Sequence, residues 1–433
     1  MDVIILGAGL SGITTAYFLQ KSDKISTITL LEKEEAPGGL CRSISCGKYI
    51  YDIGPHILFS KDKEMLELML SFLDEKNDLK RSNQIIYQDR WVQYPFENDL
   101  SKLPEDDLNY CINSFIYNPY SGYKPENMLQ FFLSTFGEGI TNSYLRPYNE
   151  KIWKYDPAYM NTSMVDRIPM PTTEEIIRSA SGETVDGYTH QLYFSYPANG
   201  GIEAVIKGFI QGFDEKCNIA VNSPVEKISN STGIVTVTSG GKDYIGDLLI
   251  STIPIQDLVC SYQGAELVKT YTDALRYNSI MVFFVKTKSD LCGENFAFLI
   301  PQKRIIFHRI SKMDFLGDHY KSDGATFMVE VTFRENDIFD CMTDKQLNEA
   351  VKRGVCDIGF AKSINDVEVL DMVRRKHAYV IYDIDHFSNM KKIREYFAGQ
   401  GVLLNGRFGN FEYWNMDRVL RESKNLFEKI MEQ

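Results

Sequence analysis

The sequence predicts an α/β protein in which a Rossmann-like dinucleotide-binding domain is assembled from separated stretches of chain, with a helical insertion and an antiparallel β-sheet substrate domain completing it. Three observations carry that reading. A glycine turn, GAGLSG, stands between an apolar strand and a helix-like stretch near the first residue. Helical periodicity broken by aromatic and proline-rich loops follows it, and α/β character then returns twice along the chain.

Residues 2–33 read as strand, turn, helix and strand: DVIIL, GAGLSG, ITTAYFLQK and TITLLEK, which is one βαβ unit. Gly7, Gly9 and Gly12 form GxGxxG in the strand-to-helix context that gives the motif physical meaning. Gly7 permits the tight turn, Gly9 lets the backbone approach a pyrophosphate, and Gly12 packs helix on strand. Leu10 and Ser11 open the helix, where free N–H groups and the helix dipole favour negative charge. Glu32, about 20 residues on, is placed to accept ribose hydroxyls, with Lys33 beside it.

The next stretch, EEAPGGLCRS, has a glycine doublet, Gly38 and Gly39, that allows a second close backbone approach. Leu40 follows it, and Arg42 is in reach of a phosphate. Simple nicotinamide enzymes lack this doublet. It resembles that of the FAD-binding amine oxidase and mutase superfamily, as do residues 225–228, with Val225 at the cofactor, and the later ISTIP stretch. The resemblance implies FAD.

Helical patterns such as MLELMLSFL and NMLQFFLSTF fill residues 62–195, interrupted by VQYPFE and LRPYNEKIW. Residues 202–254 regain α/β character with IEAVIKGFIQGF, PVEKIS, GIVTVTS and DLLISTIP, and SIMVFFVKT, FAFLIP, RIIFHRI and TFMVEVTF then suit a sheet that covers a ligand. The end, GVLLNGRFGNFEYWNMD and a helix, begins with a strand like the first. We therefore expect an FAD-binding domain from residues 1–61, 196–254 and 396–433, a helical substrate-binding domain at 62–195, and a β-sheet domain with helices at 255–395.

Composition narrows the functions available. At 433 residues the chain is too long for one comfortable core, and 44% hydrophobic content can fill two or three. A net charge of -12 argues against a nucleic-acid surface. Eight cysteines are scattered without metal spacing, so no metal site is expected and reduced thiols are. No apolar run approaches the roughly 20 residues of a membrane span, and no leader precedes the first strand, so a cytoplasmic protein without a membrane partner is expected. The sequence specifies no oligomeric state.

Several further stretches resemble UDP-galactopyranose mutases, especially the eukaryotic-type branch, through most of the chain. YDIGPHILFS is similar to the family's segment under the flavin, with Gly54 and His56 near the reactive edge. RWVQYPFEND, LRPYNEKIW with the later RIP, and GRFGNFEYWNMD are similar to its WVPYPF, RPYN, KVW, RIP and C-terminal signatures. The resemblance implies that Arg167 and Arg309 bind a diphosphate, with Tyr379 and Tyr413 reaching it. Paired guanidinium hydrogen bonds suit phosphate oxygens. It further implies that Tyr144, Asn149 and Trp153 lie along the substrate, that Glu97 and Gln191 lie near the base, and that Arg407, Asn415, Met416 and Asp417 lie at the flavin.

The implied activity is an isomerisation of a nucleotide sugar, pyranose to furanose, with reduced FAD carrying the sugar on N5 and with His56, Arg167 and Arg309 as the principal residues. NAD(P)H or another external reductant would supply the electrons. The contrasting reading is an FAD-dependent oxidoreductase of the amine oxidase or desaturase type. The chain departs from the family at Pro55, where Gly or Ala is usual, at Glu97 in place of glutamine, at Gln191 where Asn is expected, at Phe315 in place of tyrosine, and at Met416 in place of glutamine. A carboxylate accepts hydrogen bonds and donates none, so Glu97 points to altered base recognition.

Overall fold

Four of the five residues of strand β1 (Asp2–Leu6) are buried, as a strand covered on both faces requires. It pairs in parallel with β2 (Thr27–Leu31) on one side and with Leu248–Ser251 on the other. Cys217–Ala220 and Val402–Leu404 complete a five-stranded parallel sheet. Numbered along the chain, these strands lie in the order 3-2-1-4-5, that of a doubly wound dinucleotide-binding sheet. Its strands come from three separate parts of the sequence, so the Rossmann-like unit is discontinuous, as the returning α/β patterns lead one to expect. The computed structural model describes all residues except 168–171, 184, 186–191, 232 and 433, and gives only the backbone of 166 and 167.

Between β1 and β2 runs helix α1 (Leu10–Leu19), eight of whose residues are buried. Gly7 stands at φ +89, a conformation that side chains rarely adopt, and a Cβ on Gly12 would meet the Gly7 carbonyl oxygen at 2.0 Å. The glycines thus let the helix start directly on the end of the strand. The terminal helix Met416–Glu432 packs against α1, and Ser423 Oγ joins Thr14 and Thr15 of α1 in a buried hydroxyl cluster with Asn405.

The second sheet has seven strands, in the order Val367–Ile381, Arg276–Thr287, Ala325–Phe333, Arg309–Lys312, Ala297–Leu299, Asn83–Tyr87 and Arg90–Gln93. All pairs are antiparallel except Ala297–Leu299 with Asn83–Tyr87. The last two strands come from the stretch read as largely helical. They are only five and four residues long, too short for a period of two to stand out from the sequence. Within the rest of that stretch, helices Glu105–Ile116, Met128–Ile140 and Arg146–Trp153 form the expected helical layer. Among the described residues no helix is long and apolar enough to cross a membrane.

Buried histidines give the fold a definite acid response. His386 is 1% exposed, its ring lies 4.4 Å from that of Tyr382, and neither nitrogen has a partner among the described residues. Burial lowers its pKa to about 3, does the same for His377, and lowers that of His56 to about 4. Unfolded histidine titrates near 6.5, so between these values the unfolded chain holds more protons and stability rises with pH. Buried Asp52, raised to about 6 by burial, acts in the opposite sense over a smaller span. We expect the Tm of the flavin-loaded protein to climb between about pH 4 and pH 6.5. His386→Phe should flatten that climb by about 2 kcal/mol near pH 5. An unchanged slope in thermal melts of the variant would refute the assignment.

Candidate functional site

The carboxyl ends of the parallel strands face the antiparallel sheet across a cavity of about 1010 Å³. This is where open α/β sheets place ligands. One end is built from backbone. Ala8 N–H donates to Glu32 Oε2 at 2.8 Å, and Glu34 N–H donates to Glu32 Oε1 at 3.0 Å. The Glu32 carboxylate, 7% exposed, is thereby fixed at the end of β2. The carbonyl of Ala8 accepts from Gly38 N–H at 2.8 Å, docking the glycine doublet onto the first turn. Gly39, at φ +58, would carry a Cβ only 3.2 Å from Gly9 Cα. Gly9 caps α1 without any side-chain hydrogen bond, so the helix N-terminus presents bare backbone to the cavity. Leu10, Ser11, Lys33, Leu40, Arg42 and Val225 line the same end. Gly12 does not; it lies behind the turn, against Gly7.

Midway, His56 Nδ1 lies 2.9 Å from the Gly54 carbonyl oxygen. A carbonyl only accepts, so the proton sits on Nδ1 and Nε2 is left as an acceptor. Burial, and next the positive charge of Arg407, keep this imidazole neutral at pH 7. Arg407 itself is tied to backbone: Nε and Nη2 donate to the Trp414 carbonyl at 2.8 and 2.6 Å, and Nη1 donates to that of Ala378 at 3.1 Å. Its guanidinium lies 4.7 Å from the Tyr413 ring centroid. Asp417 accepts from Ser60 Oγ and from Arg418 N–H, joining the start of the terminal helix to the segment after His56. Asn415 and Met416 line the cavity beside it.

At the far end stands Arg309, at the start of strand Arg309–Lys312, with its fork on Glu330: Nε to Oε1 at 2.5 Å and Nη2 to Oε2 at 2.7 Å. Burial would lower the pKa of Arg309, but the charge of Glu330 holds it above its usual value. The Tyr379 hydroxyl donates to Glu330 Oε2 at 3.4 Å. Tyr379 and Tyr413 stack with centroids 5.7 Å apart, and Trp153 meets both edge-on. Trp153 is held in turn: its Nε1–H donates to Asn149 Oδ1 at 2.8 Å, while Asn149 Nδ2 donates to the Leu145 carbonyl at 2.7 Å. Asn149 therefore orients the indole as well as lining the cavity. Tyr144 stacks between Phe96 and Tyr148, and Glu97, 2% exposed, lies beside it on the cavity wall.

Residues 5–72 match the family model described as an NAD(P)-binding Rossmann-like domain. Along the sequence, the chain is 22% identical over 183 residues to a UDP-galactopyranose mutase of Mycoplasma pneumoniae, covering 40% of this chain and 45% of that one. The chain thus spans less than half the length of the curated relatives it matches. In three dimensions it superposes on a crystal structure of reduced UDP-galactopyranose mutase with a TM-score of 0.91 at 23% identity, covering 99% of this chain and 95% of the other. The chain has the UDP-galactopyranose mutase fold. A putative protoporphyrinogen oxidase from Exiguobacterium sp. 255-15 follows at a TM-score of 0.79 and 18% identity, covering 100% and 99%.

A dinucleotide turn in this fold points to FAD, and the glycine-lined cradle at Gly9 and Gly39, where side chains would intrude, fits its pyrophosphate. Of the residues singled out from sequence, the side chain of Arg167 and all of Gln191 lie outside the described residues. Apart from these, Gly12 and Phe315, which packs against Phe296 instead, the others border one cavity. Sequence reading missed Glu330 and Arg81, which also border it. Glu330 does leave a signal, as the lone charge in TFMVEVTF; Arg81, in LKRSN, reads as surface. Gly39→Val should give a folded protein, by circular dichroism, that purifies without visible flavin absorbance. Full flavin content in that variant would remove the cradle.

Proposed function

We propose that the chain is a flavin-dependent isomerase that interconverts pyranose and furanose forms of a nucleotide-linked hexose, with UDP-galactose as the model substrate. The observation that carries this reading is Arg309, with its Glu330 partner and the Trp153, Tyr379 and Tyr413 wall, on the same cavity as His56 and the dinucleotide turn. Similarity to UDP-galactopyranose mutases in sequence and fold supports it. An oxidoreductase acting on amine or apolar substrates has no use for a guanidinium held ready by a buried carboxylate.

In its reduced form the bound flavin would supply the nucleophile that carries the sugar while the nucleoside diphosphate is detached. The residues have three tasks. Arg309, through the N–H groups Glu330 leaves free, together with the hydroxyl of Tyr413 and that of Tyr379 once it turns from Glu330, retains the detached diphosphate. The aromatic wall aligns the sugar and excludes water that would hydrolyse it. His56 and Arg407 hold the flavin ring, and Glu32, Gly9 and Gly39 hold its ADP half. By resemblance, Arg167 is assigned to the same diphosphate as Arg309. Glu97 reads the base, and its acceptor-only carboxylate favours guanine, with two adjacent N–H donors, over uracil with one.

The test is a reaction of dithionite-reduced, flavin-loaded protein with a panel of UDP- and GDP-hexoses. We expect a ring-isomerised product with no net consumption of reductant. No isomer across the panel, or substrate oxidation in step with flavin reduction, would favour the oxidoreductase. Arg309→Ala and Arg167→Ala should each weaken nucleoside diphosphate binding by about tenfold or more while retaining flavin; loss of flavin in either would contradict the assignment.

A further inference from the structure

The cations on the substrate side of the cavity differ in what they have already been given. Arg309 is neutralised by Glu330 through two hydrogen bonds. Arg407 has three donors on backbone carbonyls. Arg81 has neither. Its Nε and Nη2 are buried and lack any hydrogen-bond partner among the described residues, and the residue lines the same cavity. Two contacts hold it in place: its backbone N–H donates to the Leu192 carbonyl at 2.7 Å, and its guanidinium sits 5.0 Å from the ring centroid of Phe59. A flat ring under a guanidinium fixes the plane in which its donors point.

A guanidinium cannot shed its proton at any ordinary pH. Donors of a buried cation left without acceptors are a standing cost to the fold, so a ligand that supplies acceptors gains the difference on binding. Two residues on, Asn83 also lines the cavity, and its Oδ1 is buried and has no partner among the described residues. The two side chains thus offer several donors and one acceptor to one cavity from positions two residues apart in the chain. A phosphate next to a sugar hydroxyl presents the complement of that pattern, acceptor oxygens beside one donor. A simple inorganic anion meets only half of it.

We infer that Arg81 is a phosphate-binding residue of the nucleotide-sugar site, with Asn83 Oδ1 accepting an adjacent hydroxyl, so that the uncompensated charge for the diphosphate comes from Arg81 while Arg309, neutralised by Glu330, supplies hydrogen bonds. This rests on the nucleotide-sugar reading above. Sequence patterns gave Arg81 no role; the geometry assigns one through its unpaired donors and its place on the wall.

The experiment is isothermal titration of the flavin-loaded wild type, Arg81→Gln and Arg81→Lys with inorganic pyrophosphate, UDP and uridine, after flavin content and Tm have been matched. We expect Arg81→Gln to lose about tenfold or more in affinity for pyrophosphate and UDP, Arg81→Lys to keep part of it, and uridine binding to be unmoved. Asn83→Ala should weaken UDP and leave pyrophosphate unchanged. Wild-type affinity of Arg81→Gln for UDP and pyrophosphate overturns the inference, as does a wild type that binds no pyrophosphate. Arg81-dependent pyrophosphate binding in a protein that isomerises no nucleotide sugar keeps the subsite and removes the isomerase. Isomerase activity with unchanged UDP affinity in Arg81→Gln does the reverse.

Discussion

The backbone of one residue, Ala8, holds the cofactor end together. The N–H of Ala8 goes to Glu32 and its carbonyl accepts from Gly38, so three stretches distant in sequence, the glycine turn, the end of β2 and the glycine doublet, share a single buried residue. A buried backbone group must be paired, and here the pairing positions function: Glu32 is held for a ribose and Gly39 is brought against Gly9. The close approach favours glycine most at Gly39, whose backbone stands at φ +58 and whose Cβ would come within 3.2 Å of Gly9 Cα. Without that lock the two loops would part, and the carboxyl edge of the parallel sheet would be an open face with nothing to define where a dinucleotide lies.

The opposite wall solves a different problem, which is how to carry charge inside a sheet. Strand Ala325–Phe333 is buried on both faces. Its odd-numbered residues Phe327, Val329, Val331 and Phe333 join the apolar cluster under helix Asp344–Asp357, while Met328 packs in a separate cluster with Tyr51 and Phe284. Period two puts Glu330 on the same face as Met328, where it opens onto the cavity. A buried carboxylate is tolerated only with a close partner, and the fork of Arg309 on the adjacent strand provides it. Arg309 and Glu330 are direct cross-strand neighbours in the ladder, so the register of the sheet sets the geometry of the pair.

These two walls were unequally legible. GxGxxG, the doublet and the returning strands are local signals, each with a conformational reason that holds wherever the chain places them, and they led directly to the discontinuous parallel sheet. Strand Asn83–Tyr87 was hidden because the strand that joins it to the sheet, Ala297–Leu299, lies some two hundred residues away, and Arg90–Gln93 enters the sheet only by pairing with Asn83–Tyr87; sheet pairing is decided by neighbours, not by the segment itself. Glu330 was visible as an anomaly, a charge in an apolar strand, but its meaning depends on Arg309 lying across the ladder. Asn149 was legible by resemblance only, and the hydrogen bond to Trp153 that explains it is an i to i+4 contact that any helical reading of RPYNEKIW contains.

Pairing Arg309 with Glu330 also bears on how such a site would work in both directions. On the proposed reading, the same diphosphate must be released from the sugar and then returned to it. With Arg309 as bare as Arg81, the cavity would bind the free diphosphate better than the sugar-linked one and stall at that point, since binding that favours an intermediate deepens the well from which the next barrier is climbed. Glu330 removes the net charge of Arg309 and leaves three of its N–H groups for the ligand. Direction is kept while the electrostatic pull is reduced. The neutral imidazole of His56 fits the same economy of charge: a cation there, beside Arg407, would add attraction for the departed diphosphate at the place where the sugar has to be held. The site reads as one tuned to hold a leaving group close without holding it too firmly.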